Sequence, residues 1–219
     1  MKLLIVDNDA LVKLAAWDLL AELESFAGGW ANIAVISSVP ARIHQSIKKP
    51  GKGLARDHAA AVRLGAVLSG CADLPAPSAA VLSALQGVPG ADAGETVLLG
   101  ALHATPGSLF LTGDKRALAA FGTALPAVIK ADIDGRVLCL EQFLHILCKQ
   151  HGYQQITVKA AAKAPADITA RIIFGSDGTR SEADVREGLT SYIGDLEQET
   201  AGLIDHDHID RYLGGLDST

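Results

Sequence analysis

Five acidic residues stand at positions where side chains gather around a ligand rather than a core. Asp7 ends the apolar run over residues 2–6, and Asp9 follows two positions on. Asp114 comes directly after the apolar run over residues 108–112 and Gly113. Asp92 and Glu95 open a helix expected over residues 92–102, three apart and so on one helical face, after the loop Gly87-Val88-Pro89-Gly90. Carboxylates converging on one crevice repel one another, and a bound divalent cation is the usual relief. Oxygen ligands without His or Cys nearby suit Mg²⁺ or Mn²⁺ rather than Zn²⁺. Such an ion holds a phosphodiester, activates a water and stabilises the leaving oxygen. Each acid also has a plainer role. Asp92 and Glu95 have the spacing of an N-cap and its returning Glu, Asp9 can cap a helix, and Asp114 suits a turn after a strand. Their conjunction carries the chemical reading.

The elements that must position these acids follow from apolar patterning. Residues 2–6, 33–36, 108–112 and 137–140 are short apolar runs that read as buried parallel strands. Helical stretches separate them: the Leu-rich segment after Asp9, one opening at Ser38 and Pro40, others over 54–68, 78–85, 92–102 and 117–121, and one over 141–150. Strands alternating with helices predict an α/β fold with a mainly parallel sheet. In such a sheet, ligands bind beyond the carboxyl ends of the strands, where strand order reverses. The pattern changes near Tyr153, which divides the chain into residues 1–152 and a C-terminal extension over 153–219. Within the extension, 156–158 and 172–174 read as short strands. Ser181 opens a long acidic helix with the Ser/Asp spacing of a capping box. Its apolar positions Val185, Leu189, Ile193, Leu196 and Leu203 need a partner surface on this chain, a second copy or another protein.

Composition narrows the setting. The 219 residues are 49% hydrophobic and 20% charged, which excludes bulk disorder. No apolar run approaches the roughly 18 residues of a membrane span. Asp7 and Asp9 interrupt the N-terminal apolar run before it could act as a secretory signal. Three scattered cysteines, Cys71, Cys139 and Cys148, fit neither a disulfide framework nor a zinc knuckle. The expectation is a cytoplasmic protein with no membrane contact. Net charge is −6, divided as −8 over residues 177–219 and +2 over the rest. Arg42, Lys48, Lys49, Lys52, Arg56 and Arg63 face only Asp57, a local +5 that either attracts a polyanion or forms a solvated face. The run Asp205-His206-Asp207-His208-Ile209-Asp210 resembles a metal cluster in composition only and reads as a solvated tail.

Three segments resemble the PIN-domain family. Leu4-Ile5-Val6-Asp7-Asn8-Asp9-Ala10-Leu11-Val12-Lys13-Leu14 is similar to the family's opening strand, Asp and helix. Asp92-Ala93-Gly94-Glu95-Thr96-Val97-Leu98-Leu99 resembles the Asp-x-Gly-Glu helix of one subgroup, and Phe110-Leu111-Thr112-Gly113-Asp114-Lys115-Arg116-Ala117-Leu118 its third acidic motif. The resemblance spans about residues 1–148. It implies a three-layer α/β/α fold and an endoribonuclease dependent on Mg²⁺ or Mn²⁺. It further implies a homodimer and a toxin held by a partner antitoxin. Asp7, Glu95 and Asp114 would be metal ligands with Asp92 assisting, and Thr112 would orient water or a carboxylate. Arg42, Lys48, Lys49, Lys52 and Arg56 would cradle RNA.

Two departures from the family pattern stand out. The helix after the second strand offers Arg42 and His44 where many members carry a Glu, and the first motif reads Asp-Asn-Asp. A catalytically weak or inactive PIN-like binding or regulatory protein is therefore one alternative. A phosphatase of haloacid-dehalogenase type, which also opens on Asp-x-Asp, is another. That type needs further acids around Asp114, where Lys115-Arg116-Ala117-Leu118 follow instead.

Overall fold

The computed structural model describes residues 2–162, 167–205 and 209. Five parallel strands form one sheet in the order β3-β2-β1-β4-β5: β1 (Leu4–Val6), β2 (Ile33–Val35), β3 (Ala72–Asp73), β4 (Leu109–Thr112) and β5 (Val137–Cys139). β1 and β4 are buried throughout, as central parallel strands covered on both faces must be. Their register pairs Leu4 with Leu109, Ile5 with Phe110 and Val6 with Leu111, so the two strands end side by side.

Helices α1 (Asn8–Ala16), α2 (Leu20–Ala27), α3 (Val39–Lys48) and α4 (His58–Val67) connect the strands on one side of β1. Helices α5 (Ala79–Leu85), α6 (Ala93–Ala104), α7 (Lys115–Ala124) and α8 (Ala127–Ile133) serve the return through β4 to β5. Right-handed crossovers running outward and then back place the two sets on opposite faces. The contacts agree, with α1 and α3 packed on α4, and α6 packed on β1, β4 and α8. This is the expected α/β fold, a three-layer α/β/α arrangement with further C-terminal helices.

Those helices are α9 (Leu140–His151), α10 (Tyr153–Ala161), α11 (Ile168–Phe174) and α12 (Glu182–Glu199). The strands expected over 156–158 and 172–174 are thus helices. Three residues are too few to show a periodicity, and here α10 and α11 bury Ile156, Ile173 and Phe174 by packing on each other and on α9 and α12. The partner surface for α12 is this chain's own. Val185, Leu189, Ile193 and Leu196 are buried against α7, α9, α10 and α11, continuous with the main core. Ser181 caps α12 by accepting from the Asp184 amide at 3.2 Å, while the Asp184 carboxylate accepts from the Ser181 hydroxyl rather than completing a reciprocal box.

Two local expectations also shift. Asp7, not Asp9, is the N-cap of α1, and Asp9 lies in its first turn. The helix expected over 54–68 begins only at His58, capped by Asp57. The two-residue edge strand β3 and helix α8 carry no signal strong enough to read locally. Among the described residues no helix is long and apolar enough to cross a membrane.

Candidate functional site

The strand order reverses between β1 and β4, which puts the switch point of the sheet beyond Val6 and Thr112. Asp7 leaves β1 there, its backbone amide still donating to Leu111 O at 2.9 Å. The Thr112 hydroxyl donates to Asp7 Oδ2 at 3.3 Å and accepts from the Asp114 amide at 3.1 Å. One threonine therefore orients the Asp7 carboxylate and fixes the turn into Asp114.

Three helices start at this point, and acids cap each of them. The Asn8 amide donates to Asp7 Oδ1 at 2.6 Å, opening α1. Asp114 Oδ1 accepts from the Arg116 and Ala117 amides at 2.9 and 3.1 Å, opening α7. Asp92 and Glu95 make a complete capping box on α6. The Glu95 amide donates to Asp92 Oδ1 at 2.8 Å and the Asp92 amide to Glu95 Oε2 at 2.7 Å. Partial positive charge at three helix N-termini offsets some of the repulsion among the acids.

It does not offset all of it. Asp7, Asp9, Asp92, Glu95 and Asp114 line one cleft of about 320 Å³, with Arg42 as the cation of the lining. Burial, reinforced by the Asp9 charge, pushes the Asp7 carboxyl up to about 6 against its hydrogen bonds from Asn8 and Thr112. Burial does the same to Glu95, which the negative charges of Asp92, Asp114 and Asp7 help raise to about 7. Both residues are nearly buried, at 8% and 9% exposure.

The oxygen donor set and this residual negative charge are those a hard divalent cation satisfies. As placed, however, the acids do not form a ready ligand shell: among the described residues no three Asp, Glu, His or Cys side chains are grouped closely enough to hold one ion. The capping bonds explain this, since they turn an oxygen of each carboxylate toward a helix end.

Asp9 is committed differently. Lys13 Nζ lies 2.6 Å from Asp9 Oδ2 and 2.7 Å from Asp167 Oδ2, at the start of α11. Those two carboxylates outweigh the burial of the lysine and raise its ammonium to about 12. A Cβ at Gly113 would come within 2.5 Å of Asp9 Oδ2, so this pair packs against bare backbone at the end of β4.

The cations of the expected RNA-binding stretch separate. All five are exposed, but Arg42 also enters the cleft lining, whereas Lys48, Lys49, Lys52 and Arg56 lie outside it. Arg63 is tied down by Asp18 Oδ1 at 3.0 Å and the Ala15 carbonyl at 3.1 Å. His103 pairs with Asp132 at 3.0 Å and Trp17 is buried, both away from the cleft lining. The acid-histidine run, apart from Asp205 and Ile209, lies outside the described residues.

Sequence reasoning did not find the cluster behind Asp114. Lys115 Nζ donates to Thr169 Oγ1 at 2.6 Å and to the Tyr192 hydroxyl, and lies 3.2 Å from Glu141 Oε1. Its ammonium also sits 4.1 Å from the centre of the Tyr192 ring. Lys115 was visible beside Asp114, but partners 26 to 77 positions further on leave no local signal. No protein-family model, curated protein or solved structure matches the chain.

Proposed function

We propose that the chain is an endoribonuclease dependent on Mg²⁺ or Mn²⁺, with Asp7, Glu95, Asp114 and Asp92 as the residues that would hold the ion. The observation that carries this reading is the meeting of all four at the switch point of the sheet, two of them buried with raised carboxyl pKa values. The caps these acids form do not require them to share one cleft, and perturbed groups in a cleft are candidates for a working site. The bound ion would supply an activated water and charge to stabilise the leaving oxygen. The chain's own residues do the positioning: Thr112 orients Asp7, and the helix starts fix Asp92, Glu95 and Asp114. The exposed cations Lys48, Lys49, Lys52 and Arg56 lie on the same connection as Arg42 and suit an RNA backbone. An antitoxin partner and a homodimer belong to this reading through the family resemblance, and a cytoplasmic setting through the scattered cysteines.

A second reading has an observation of its own. Every one of the four acids is already engaged as a helix cap, and together they make no ready ion shell. A PIN-like binding protein with a residual cleft accounts for both facts. The test is cleavage of a mixed RNA pool in Mn²⁺, Mg²⁺ or EDTA by the full chain, Asp7→Asn and Glu95→Gln. Metal-dependent cutting that both variants abolish supports the nuclease. A folded protein that cuts in no metal, or variants that cut as the parent does, would decide for the binding reading.

A further inference from the structure

Arg42 differs from every other cation of its stretch. It belongs to the lining of the acidic cleft, and among the described residues it makes no ion pair, although five carboxylates share that lining. Its place is built from below. The Ser46 hydroxyl, fully buried, donates to the Arg42 carbonyl at 3.0 Å and accepts from the Ala55 amide at 3.1 Å. That bond staples the loop after α3 back onto the helix and brings Leu54 into the same lining. Beside the acids, the cleft lining therefore includes the apolar Val12, Ile36 and Leu54 and one arginine. A guanidinium beside carboxylates normally pairs with them, because the bidentate geometry is favourable. One that does not is placed for an anion that arrives with a ligand.

We infer that Arg42 is the group that grips the reacting phosphodiester, set apart from Lys48, Lys49, Lys52 and Arg56, which only attract the RNA backbone. This rests on the nuclease reading. The guanidinium would hold the non-bridging phosphate oxygens against the acidic wall, where the planar fork matches phosphate and a lysine does so less well.

The test uses the full chain with Arg42→Ala, Arg42→Lys and Arg42→Glu, beside a Lys48→Ala/Lys49→Ala/Lys52→Ala triple variant. Two quantities are read: kcat and KM for RNA cleavage in Mn²⁺, and affinity for a fluorescein-labelled single-stranded RNA in EDTA across a salt series. Arg42→Ala should lower kcat about a hundredfold, as loss of one preorganised donor does. It should also weaken binding about tenfold. Arg42→Lys should recover part of the kcat loss, and Arg42→Glu should fall below Arg42→Ala. The triple variant should act through affinity, with the salt slope reduced by roughly 0.7 per lysine.

An Arg42→Ala enzyme with kcat within twofold of the parent overturns the inference while leaving the nuclease intact. So does an Arg42→Glu enzyme as fast as the parent, which would make position 42 a place for a carboxylate. If the parent chain binds RNA but cuts in no metal, the nuclease reading alone falls. Arg42 as a phosphate-gripping group then stands if Arg42→Ala weakens binding tenfold and falls if it does not.

Discussion

The neighbouring residues Asp114 and Lys115 point into two polar clusters built on opposite rules. Asp114 faces the cleft, where five acids meet one arginine that makes no ion pair among the described residues, and the buried members resist ionisation. Lys115 faces inward to Glu141, Thr169 and Tyr192, where the one cation meets the one anion and two hydroxyls. The second cluster neutralises itself and joins α7, α9, α11 and α12, which is what a structural network does. The first spends folding energy on like charges. A surplus of one sign is tolerated where a ligand of the other sign completes the site. Lys13 stands between the two rules, a half-buried cation shared by the cleft residue Asp9 and by Asp167 of the C-terminal layer.

The sharpest way to break this contrast is to substitute one member of each cluster. Asp7→Asn should reduce metal-dependent cleavage at least a thousandfold, about 4 kcal/mol of transition-state stabilisation. It should leave the fold as stable as before or more so. Lys115→Met should do the reverse, costing about 3 kcal/mol by leaving Glu141 buried without its cation. Urea titrations beside single-turnover cleavage assays read both effects. A destabilised Asp7→Asn, or a Lys115→Met as stable as the parent, would erase the distinction.

The docking of the C-terminal layer can be probed at Gly122 in α7. A Cβ there would lie 1.9 Å from the Thr200 carbonyl oxygen, and that neighbour is backbone. Gly122→Ala is expected to cost about 2 kcal/mol by thermal or chemical denaturation, as overpacking does. A neutral result would mean the end of α12 does not rest on α7.

A pH series sharpens the contrast further. The folded value of Asp7, about 6, lies above its unfolded 3.8. The folded chain therefore holds the extra proton between those values, and stability falls as pH rises through that window. At pH 7.5, Asp7→Asn should gain on the order of 3 kcal/mol, a gain that vanishes by pH 3.5. Asp167 runs the other way. Burial opposes its ionisation, but the Lys13 ammonium and the Ala170 amide hold its carboxyl below the usual range. Its contribution is present at neutral pH and is lost as pH falls, so Asp167→Asn should be destabilising at pH 7.5 and near neutral in acid. The smallest effect is expected from Mn²⁺ added to the folded chain. Its binding should raise the melting temperature by a few degrees at saturating ion, and Asp114→Asn should abolish that rise.

Much of the architecture is legible in local patterns. Four of the strands are uninterrupted apolar runs, each followed by a polar residue or helix start, and the chain can bury such runs only in a covered parallel sheet. Asp92 and Glu95 announce their capping box by spacing alone. Where local signal is thin the reading slips. Residues 156–158 and 172–174 are too short to show a period, and neighbouring helices decided their conformation. The edge strand β3 pairs through two residues against β2, a match no local pattern carries.

By itself, then, the sequence determined most of the kinds of element, some of the caps, and the acids at the ends of apolar runs. These are matters of side-chain chemistry within one helical turn or one strand. Only the tertiary structure decided that β1 lies beside β4, although more than 100 residues separate their ends. That single pairing brings Asp7, Thr112 and Asp114 together. It also decided that Arg42 reaches the cleft while Lys49 does not, and that Lys13 answers to Asp167 from α11. Long-range pairing of this kind is set by the burial of whole faces and the handedness of crossovers, which no short stretch of chain encodes.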